Sequence, residues 1–197
     1  MRFKLGLTGS IGMGKSTTAG LFAEAGCVVW DADAAVHRLY DIEGAAVLPI
    51  QTAFPEAVRD GVVSRDALRA IIAEDGNALP RIEEIVHPLV ALDRSDFIAA
   101  NPDALGIFDI PLLFENGGDA EMDATACVTV SPNIQRKRVL ARGTMTDADL
   151  NRILARQMPN EEKCRRATWV IETDTLDHAR EQVQDIVRQI EEGQHHA

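Results

Sequence analysis

Near the amino end, Gly9-Ser10-Ile11-Gly12-Met13-Gly14-Lys15-Ser16 fits G-x-x-x-x-G-K-[ST] at every fixed position, and Thr17 follows. Glycines allow backbone turns that a Cβ would forbid. The N–H groups of Gly12, Met13, Gly14, Lys15, Ser16 and Thr17 can then turn inward onto phosphate oxygens. A helix expected from Lys15 to Ala25 adds the positive end of its dipole. Lys15 is placed to neutralise the β- and γ-phosphates, and the Ser16 hydroxyl to bind Mg²⁺. Kinases, GTPases and ATPase motors share this loop, so it does not choose the reaction. A GTPase would add the base-reading string [NT]-K-x-D, which the sequence lacks. Asp41-Ile42-Glu43-Gly44 matches D-x-x-G but follows a helix candidate rather than a strand.

Phosphoryl transfer to an acceptor also needs a carboxylate near the hydroxyl and cations near the moving charge. Asp31-Ala32-Asp33 follows a strand candidate, so Asp33 is a candidate base; equally, Asp31 and Asp33 could cap the next helix. Phe108-Asp109 resembles the acidic end of a Walker B strand, where an aspartate supports Mg²⁺, and Pro111-Leu112-Leu113-Phe114-Glu115 follows that strand candidate. Leu112, Leu113 and Phe114 would ordinarily read as core, but they lie at the ligand end of the sheet. Arg138 and Arg142 share a helix face, and Arg152 and Arg156 repeat the spacing. Gly143 offers a hinge between them, and residues 133–166 read as a mobile lid whose arginines suit phosphate geometry. His87 before Pro88 reads, on its own, as a structural turn residue.

The elements that must position these groups follow from hydrophobic patterning. Short apolar runs at Phe3–Thr8, Cys27–Trp30, Ala104–Ile110, Thr125–Val130 and Trp169–Ile171 predict five strands between helices. The fold class is α/β: a P-loop NTPase fold with a five-stranded, mainly parallel sheet flanked by helices. The expected division of residues 1–197 is a core at 1–33, 101–132 and 167–197, a helical insertion at 34–100 and the lid at 133–166. The insertion should be interrupted at Pro49, Pro55, Asp60-Gly61, Asp75-Gly76, Pro80 and Pro88, and should rise over the carboxyl ends of the strands, where ligands bind in open α/β sheets. Leu176, Ala179, Val183, Ile186, Val187 and Ile190 form the apolar stripe of a last helix, which Asp174 or Thr175 could cap.

The net charge of −11 excludes a generic nucleic-acid or anionic-membrane binder. Residues 136–166 oppose that average, with nine Lys/Arg against four acids, a local +5 where a small polyanion could bind. No signal peptide or spanning apolar stretch is read, so a cytoplasmic location is expected. Cys27, Cys127 and Cys164 are far apart and form no CxxC pair; Cys27 and Cys127 read as buried thiols.

Taken together, the phosphate loop preceded by Leu7-Thr8, Asp31-Ala32-Asp33, His87-Pro88, Pro111–Glu115, and Arg138 with Arg142 ahead of Arg152-Ile153 and Gln157 resemble the dephospho-CoA kinase family over about residues 3–190. The resemblance implies transfer of the ATP γ-phosphate to the ribose 3′-hydroxyl of dephospho-CoA. It implies Asp33 as base or hydroxyl-orienting group, with Lys15 and Arg138 stabilising the transferring phosphoryl and Arg142 near ATP. Thr8, Asp33, His87, Pro111, Leu112, Leu113 and Glu115 would line the acceptor side, with the insertion as the CoA-binding part. Separately, a monomer is expected as the working unit. Four positions depart from the family pattern: Ser10 stands for the usual Gly, Met13 for Ser, and Thr168 and Thr173 for Asp and Asn near the fifth strand. No site residue is assigned in that last stretch. The alternatives are another small-molecule P-loop kinase, for a nucleoside monophosphate or sugar acid, and a nucleotide-binding switch. Whether ATP turnover needs a small acceptor separates these classes.

Overall fold

Leu105–Asp109 is buried at all five positions, as expected of a strand covered on both faces. In the computed structural model, which describes residues 1–194, it lies second from one edge of a five-stranded sheet. The strands are β1 (Phe3–Thr8), β2 (Val28–Asp31), β5 (Leu105–Asp109), β6 (Ala124–Thr129) and β7 (Trp169–Glu172), ordered β2-β5-β1-β6-β7. β1 runs parallel to β5 with Leu5 opposite Ile107, and parallel to β6 with Leu7 opposite Ala126. β6 runs parallel to β7 with Val128 opposite Ile171. The order reverses beside β1, so the loop leaving its carboxyl end opens at a switch point.

The chain divides into two units, Met1–Trp30 with Asn101–Ala197, and Asp31–Ala100. In the first, α1 (Lys15–Glu24) and α9 (Leu176–Gln194) pack together. Phe22 and Leu21 join Leu5, Leu7, Ile107, Val128 and Ile171 from the sheet and Val183, Ile186 and Ile190 from α9 in one core. Each such side chain, fully buried, contributes roughly 1.5–3 kcal/mol. Thr175 caps α9, its hydroxyl accepting from the His178 N–H at 3.2 Å. α6 (Pro132–Ala141), α7 (Asp147–Leu154) and α8 (Asn160–Arg166) lie between β6 and β7. α6 opens on Pro132, whose missing N–H costs a first turn nothing, and α7 opens on a Thr146–Asp149 capping box.

The second unit holds α2 (Ala32–Tyr40), α3 (Val47–Ala53), α4 (Arg65–Glu74) and α5 (Ala78–Ala100) around Leu39, Ile50, Phe54, Leu68, Ile82 and Val86. It also contains a hairpin, β3 (Val58–Arg59) and β4 (Val62–Val63). Asp60 (φ 52°) and Gly61 (φ 77°) form its turn, both in the left-handed region that a two-residue hairpin loop demands. Three expected interruptions are absent. Pro49 and Pro80 are the third residues of α3 and α5, where no backbone N–H has a helical partner anyway. Pro88 lies inside α5, which continues past it to Ala100. Among the described residues no helix is long and apolar enough to cross a membrane.

All three cysteines are free; Cys27 and Cys127 are buried. Burial pushes the Cys27 thiol up to about 11. The fold brings Cys127 and Cys164 together, Sγ to Sγ 3.6 Å, although 37 residues separate them. Burial first, then the neighbouring Cys164, raises the Cys127 thiol well above its ordinary value.

Candidate active site

The loop between β1 and α1 is shaped from outside by side chains that arrive much later in the chain. Asn160 Oδ1 accepts from the Ser10 N–H at 2.9 Å, while its Nδ2 donates to the Val128 carbonyl and the Thr129 hydroxyl, each at 3.2 Å. Gln135 Nε2 donates to the Ile11 carbonyl at 2.8 Å. The Thr173 hydroxyl donates to the Met13 carbonyl at 2.7 Å. Gln135 and Thr173 are each only 6% exposed, so these bonds are shielded from water.

Two glycines are required by what surrounds them. Gly12 has φ 78°, and a Cβ there would lie 2.5 Å from Val139 Cγ2. Gly14 has φ 93°, and a Cβ would lie 3.0 Å from Thr173 Oγ1. Gly14 is also the N-cap of α1 and supplies no side-chain cap, which leaves the first-turn N–H groups for a ligand. Met13 is 5% exposed and belongs to the core cluster, so its side chain is turned away from the cradle. Its N–H is used within the loop, donating to the Ser10 carbonyl at 3.2 Å. Of the expected phosphate-binding residues, Met13 thus has its amide engaged, while the exposed Ser16 and Thr17 stand on the uncapped first turn.

The Lys15 ammonium pairs with the Asp109 carboxylate, which is 1% exposed at the end of β5. Asp109 carboxylate and Ser16 hydroxyl are hard oxygen donors, the type that magnesium takes together with water and phosphates. Arg138, on α6, donates through one guanidinium nitrogen to the Thr173 hydroxyl (3.1 Å) and through another to the Thr173 carbonyl (2.6 Å). Arg142 follows at the C-cap of the same helix. Gly12, Gly14, Thr17, Arg138, Arg142 and Thr173 line one cleft of about 400 Å³, which Thr175 and Leu176 extend. The arrangement can hold a polyphosphate between backbone donors and two guanidinium groups.

A second cluster lies in the same unit at the segment after β5. The Thr8 hydroxyl is buried and donates to the Pro111 carbonyl at 3.0 Å. Lys163 Nζ donates to the same carbonyl at 2.9 Å and pairs with Glu115 Oε1 at 2.9 Å. Glu115 Oε1 also accepts from the Met158 N–H at 3.1 Å. Leu113 and Phe114 are core side chains, and Arg166 lies 4.6 Å from the Phe114 ring centroid. Leu112, 37% exposed, is the apolar side chain of the segment that faces out.

In the second unit, Asp31 is the N-cap of α2, its Oδ1 accepting from the Ala34 N–H at 2.9 Å. Asp33 sits in the first turn with an exposed side chain. His87 is exposed midway along α5, which packs against α2.

Sequence reasoning passed over Gln135, Asn160, Lys163 and Thr173. Lys163 looked like one cation among nine, yet its side chain has no exposure at all. Asn160 follows Pro159, which signals only a helix start. Thr173 was noted as a departure from a pattern; its link to Met13 and Arg138 needs three distant segments in register.

The dephospho-CoA kinase family model matches residues 3–178. Among curated proteins, the chain is 64% identical to the dephospho-CoA kinase of Ruegeria pomeroyi over all of both chains. It is 58% identical to that of a Jannaschia species, covering 98% of this chain and 100% of the relative. Among solved structures, one from Thermus thermophilus is 33% identical with a TM-score of 0.85, covering 95% of this chain and 96% of that one. The dephospho-CoA kinase from Campylobacter jejuni, at 22% identity and TM-score 0.72 over 97% and 98% of the two chains, has the same fold. A shikimate kinase from Acinetobacter baumannii shares that fold more distantly, at 17% identity and TM-score 0.52 over 97% and 94%. The matches span the phosphate loop, the segment after β5 and the arginines of α6 alike, and the chain belongs to the dephospho-CoA kinase family.

Proposed function

We propose that this chain transfers the γ-phosphoryl group of ATP to the ribose 3′-hydroxyl of dephospho-CoA, giving coenzyme A and ADP. The observation that carries the reading is the cleft where the uncapped start of α1 meets Arg138 and Arg142. The first-turn N–H groups bind the phosphates and orient them for in-line attack. Lys15 and Arg138 stabilise the charge that spreads over the equatorial oxygens, and Arg142 holds the nucleotide. Ser16, with Asp109 behind it, would hold Mg²⁺, which when bound neutralises the β- and γ-phosphates. Asp33 orients the acceptor hydroxyl and takes its proton. Thr8, His87, Pro111, Leu112, Leu113 and Glu115 shape the acceptor side. The working unit in this reading is a monomer in the cytoplasm, with residues 34–100 as acceptor-binding insertion and 133–166 as lid.

The test is ATP consumption by purified protein with Mg²⁺, comparing dephospho-CoA with a panel of nucleoside monophosphates and sugar acids. Dephospho-CoA should be the acceptor that drives ADP release, and Asp33→Asn should lower that rate by about 10²-fold while ATP still binds. Steady ADP release indifferent to dephospho-CoA would overturn the reading.

A further inference from the structure

The second unit contains a pocket of about 370 Å³ with no part in the account so far, lined by His37, Arg38, Tyr40, Asp41, Val62, Val63 and Arg65. Its charges are not equivalent. Arg38 is engaged: its guanidinium donates to both carboxylate oxygens of Asp93, at 2.7 and 3.2 Å. Asp41 is the one acid on the wall, and its Oδ1 accepts from the Ile42 N–H at 2.8 Å. Arg65 makes no ion pair among the described residues; its guanidinium carbon stands 5.9 Å from the Tyr40 ring centroid. An arginine on an aromatic face keeps its fork of donors for an outside partner. The remaining wall, Val62, Val63 and the Tyr40 ring, is apolar.

The pocket is tied to the proposed base by helix geometry. Asp33 and His37 are four residues apart on α2, both exposed, and so share one face about a turn apart. On a nucleotide, the ribose 3′-hydroxyl and the 5′-phosphate lie on opposite sides of one sugar, a comparable separation. In dephospho-CoA the 5′-phosphate is half of a diphosphate, and the next group is a branched aliphatic carbon. That sequence of chemistries, hydroxyl, anion, branched alkyl, matches Asp33, then His37 with Arg65, then Val62, Val63 and Tyr40.

We infer that Arg65 and His37 form the subsite for the 5′-diphosphate of the acceptor, with Val62, Val63 and Tyr40 receiving the first carbons of its pantetheine arm. The inference rests on the acceptor reading of Asp33 given above. It makes Arg65 a specificity residue: it holds the acceptor by a group remote from the reacting oxygen, and separates dephospho-CoA from a bare nucleoside.

Arg65→Gln, Arg65→Lys and His37→Gln are compared with the parent by equilibrium titration of dephospho-CoA and of adenosine, and by steady-state kinetics with each as acceptor. Arg65→Gln should weaken dephospho-CoA binding and raise its KM by about tenfold to a hundredfold, the range for losing a charged hydrogen-bonding partner. Adenosine, which has no diphosphate, should bind parent and variant alike, and the KM for ATP should stay within about twofold. Arg65→Lys should recover part of the loss, and His37→Gln should show a smaller loss of the same pattern. Unchanged dephospho-CoA binding in Arg65→Gln would overturn the subsite, as would an equal loss for adenosine. Failure of the reaction assignment reads differently: the parent itself would then not turn over dephospho-CoA. If Arg65→Gln does not fold, the binding pattern of His37→Gln carries the same decision.

Discussion

The phosphate loop and the basic segment through α6 and α7 belong to one unit, but different kinds of contact hold them. The loop is gripped by neutral side chains, Gln135, Asn160 and Thr173, at carbonyl and amide groups with few other partners. The basic segment is laced by ion pairs at the surface, Arg136 with Asp147 and Arg152 with Asp149, whose side chains are 41–65% exposed. Shielded neutral hydrogen bonds are costly to leave unmade, whereas exposed ion pairs are screened and contribute little. The cradle is therefore shaped before a nucleotide arrives. The surface arginines of the basic segment rest on contacts easily exchanged; Arg138 is the exception, bonded to the hydroxyl and carbonyl of the buried Thr173. Preorganised donors and late-arriving charge are complementary needs of phosphoryl transfer.

Lys163 is where that contrast should break most visibly. It lies in the basic segment but is fully buried, paired with Glu115. Lys163→Met removes one partner of a buried pair, so denaturant unfolding should show a loss of about 3 kcal/mol or more. Lys163→Met with Glu115→Gln should regain part of it, because no lone charge stays behind. A loss under about 1 kcal/mol, the surface range, would put Lys163 with its solvated neighbours.

Asn160→Ala should cost less, about 1–3 kcal/mol, since it strips a partner from the Ser10 N–H and the Val128 carbonyl. It should also weaken ATP binding, measured by titration. Unaltered ATP affinity would mean that Gln135 and Thr173 suffice to shape the loop.

The smallest effect is expected at Asp147. The hydrogen bond from Arg136 holds its carboxyl below the usual range. A lowered folded value stabilises above the unfolded one and is lost as pH falls through it. Asp147→Asn should therefore lower the thermal midpoint slightly at neutral pH, less in high salt, and not at all in strong acid. A drop that persists in acid would assign Asp147 a role beyond its charge.

Five strands and the last helix were legible because their signals are local. Phe3–Thr8 is apolar and bounded by Gly9, and the predicted and observed strands coincide. In α9, Ala179, Val183, Ile186 and Ile190 are buried as their spacing requires. The hairpin at 58–63 was less legible: Asp60-Gly61 announced a turn, but two-residue strands give no alternation to read. Pro88 misled because proline's cost in a helix is local, and packing along a 23-residue helix outweighs it. At the candidate site, Lys15, Ser16 and Arg138 could be named from motif and spacing. Asn160, Thr173 and Lys163 could not, because each acts through partners 31 to 160 residues away.

The distance between the loop and its anchors also sets an order of events at the ribosome. Residues 9–17 emerge well before Gln135, Asn160 and Thr173, which follow more than a hundred residues later. A growing chain that ends before Thr173 carries the whole glycine-rich motif and lacks the side chain that donates to Met13. Chains are made from the amino end, and contacts distant in sequence form late. Competence to bind a nucleotide is thus expected only once the chain has been made past Thr173, and shorter nascent fragments should not sequester ATP.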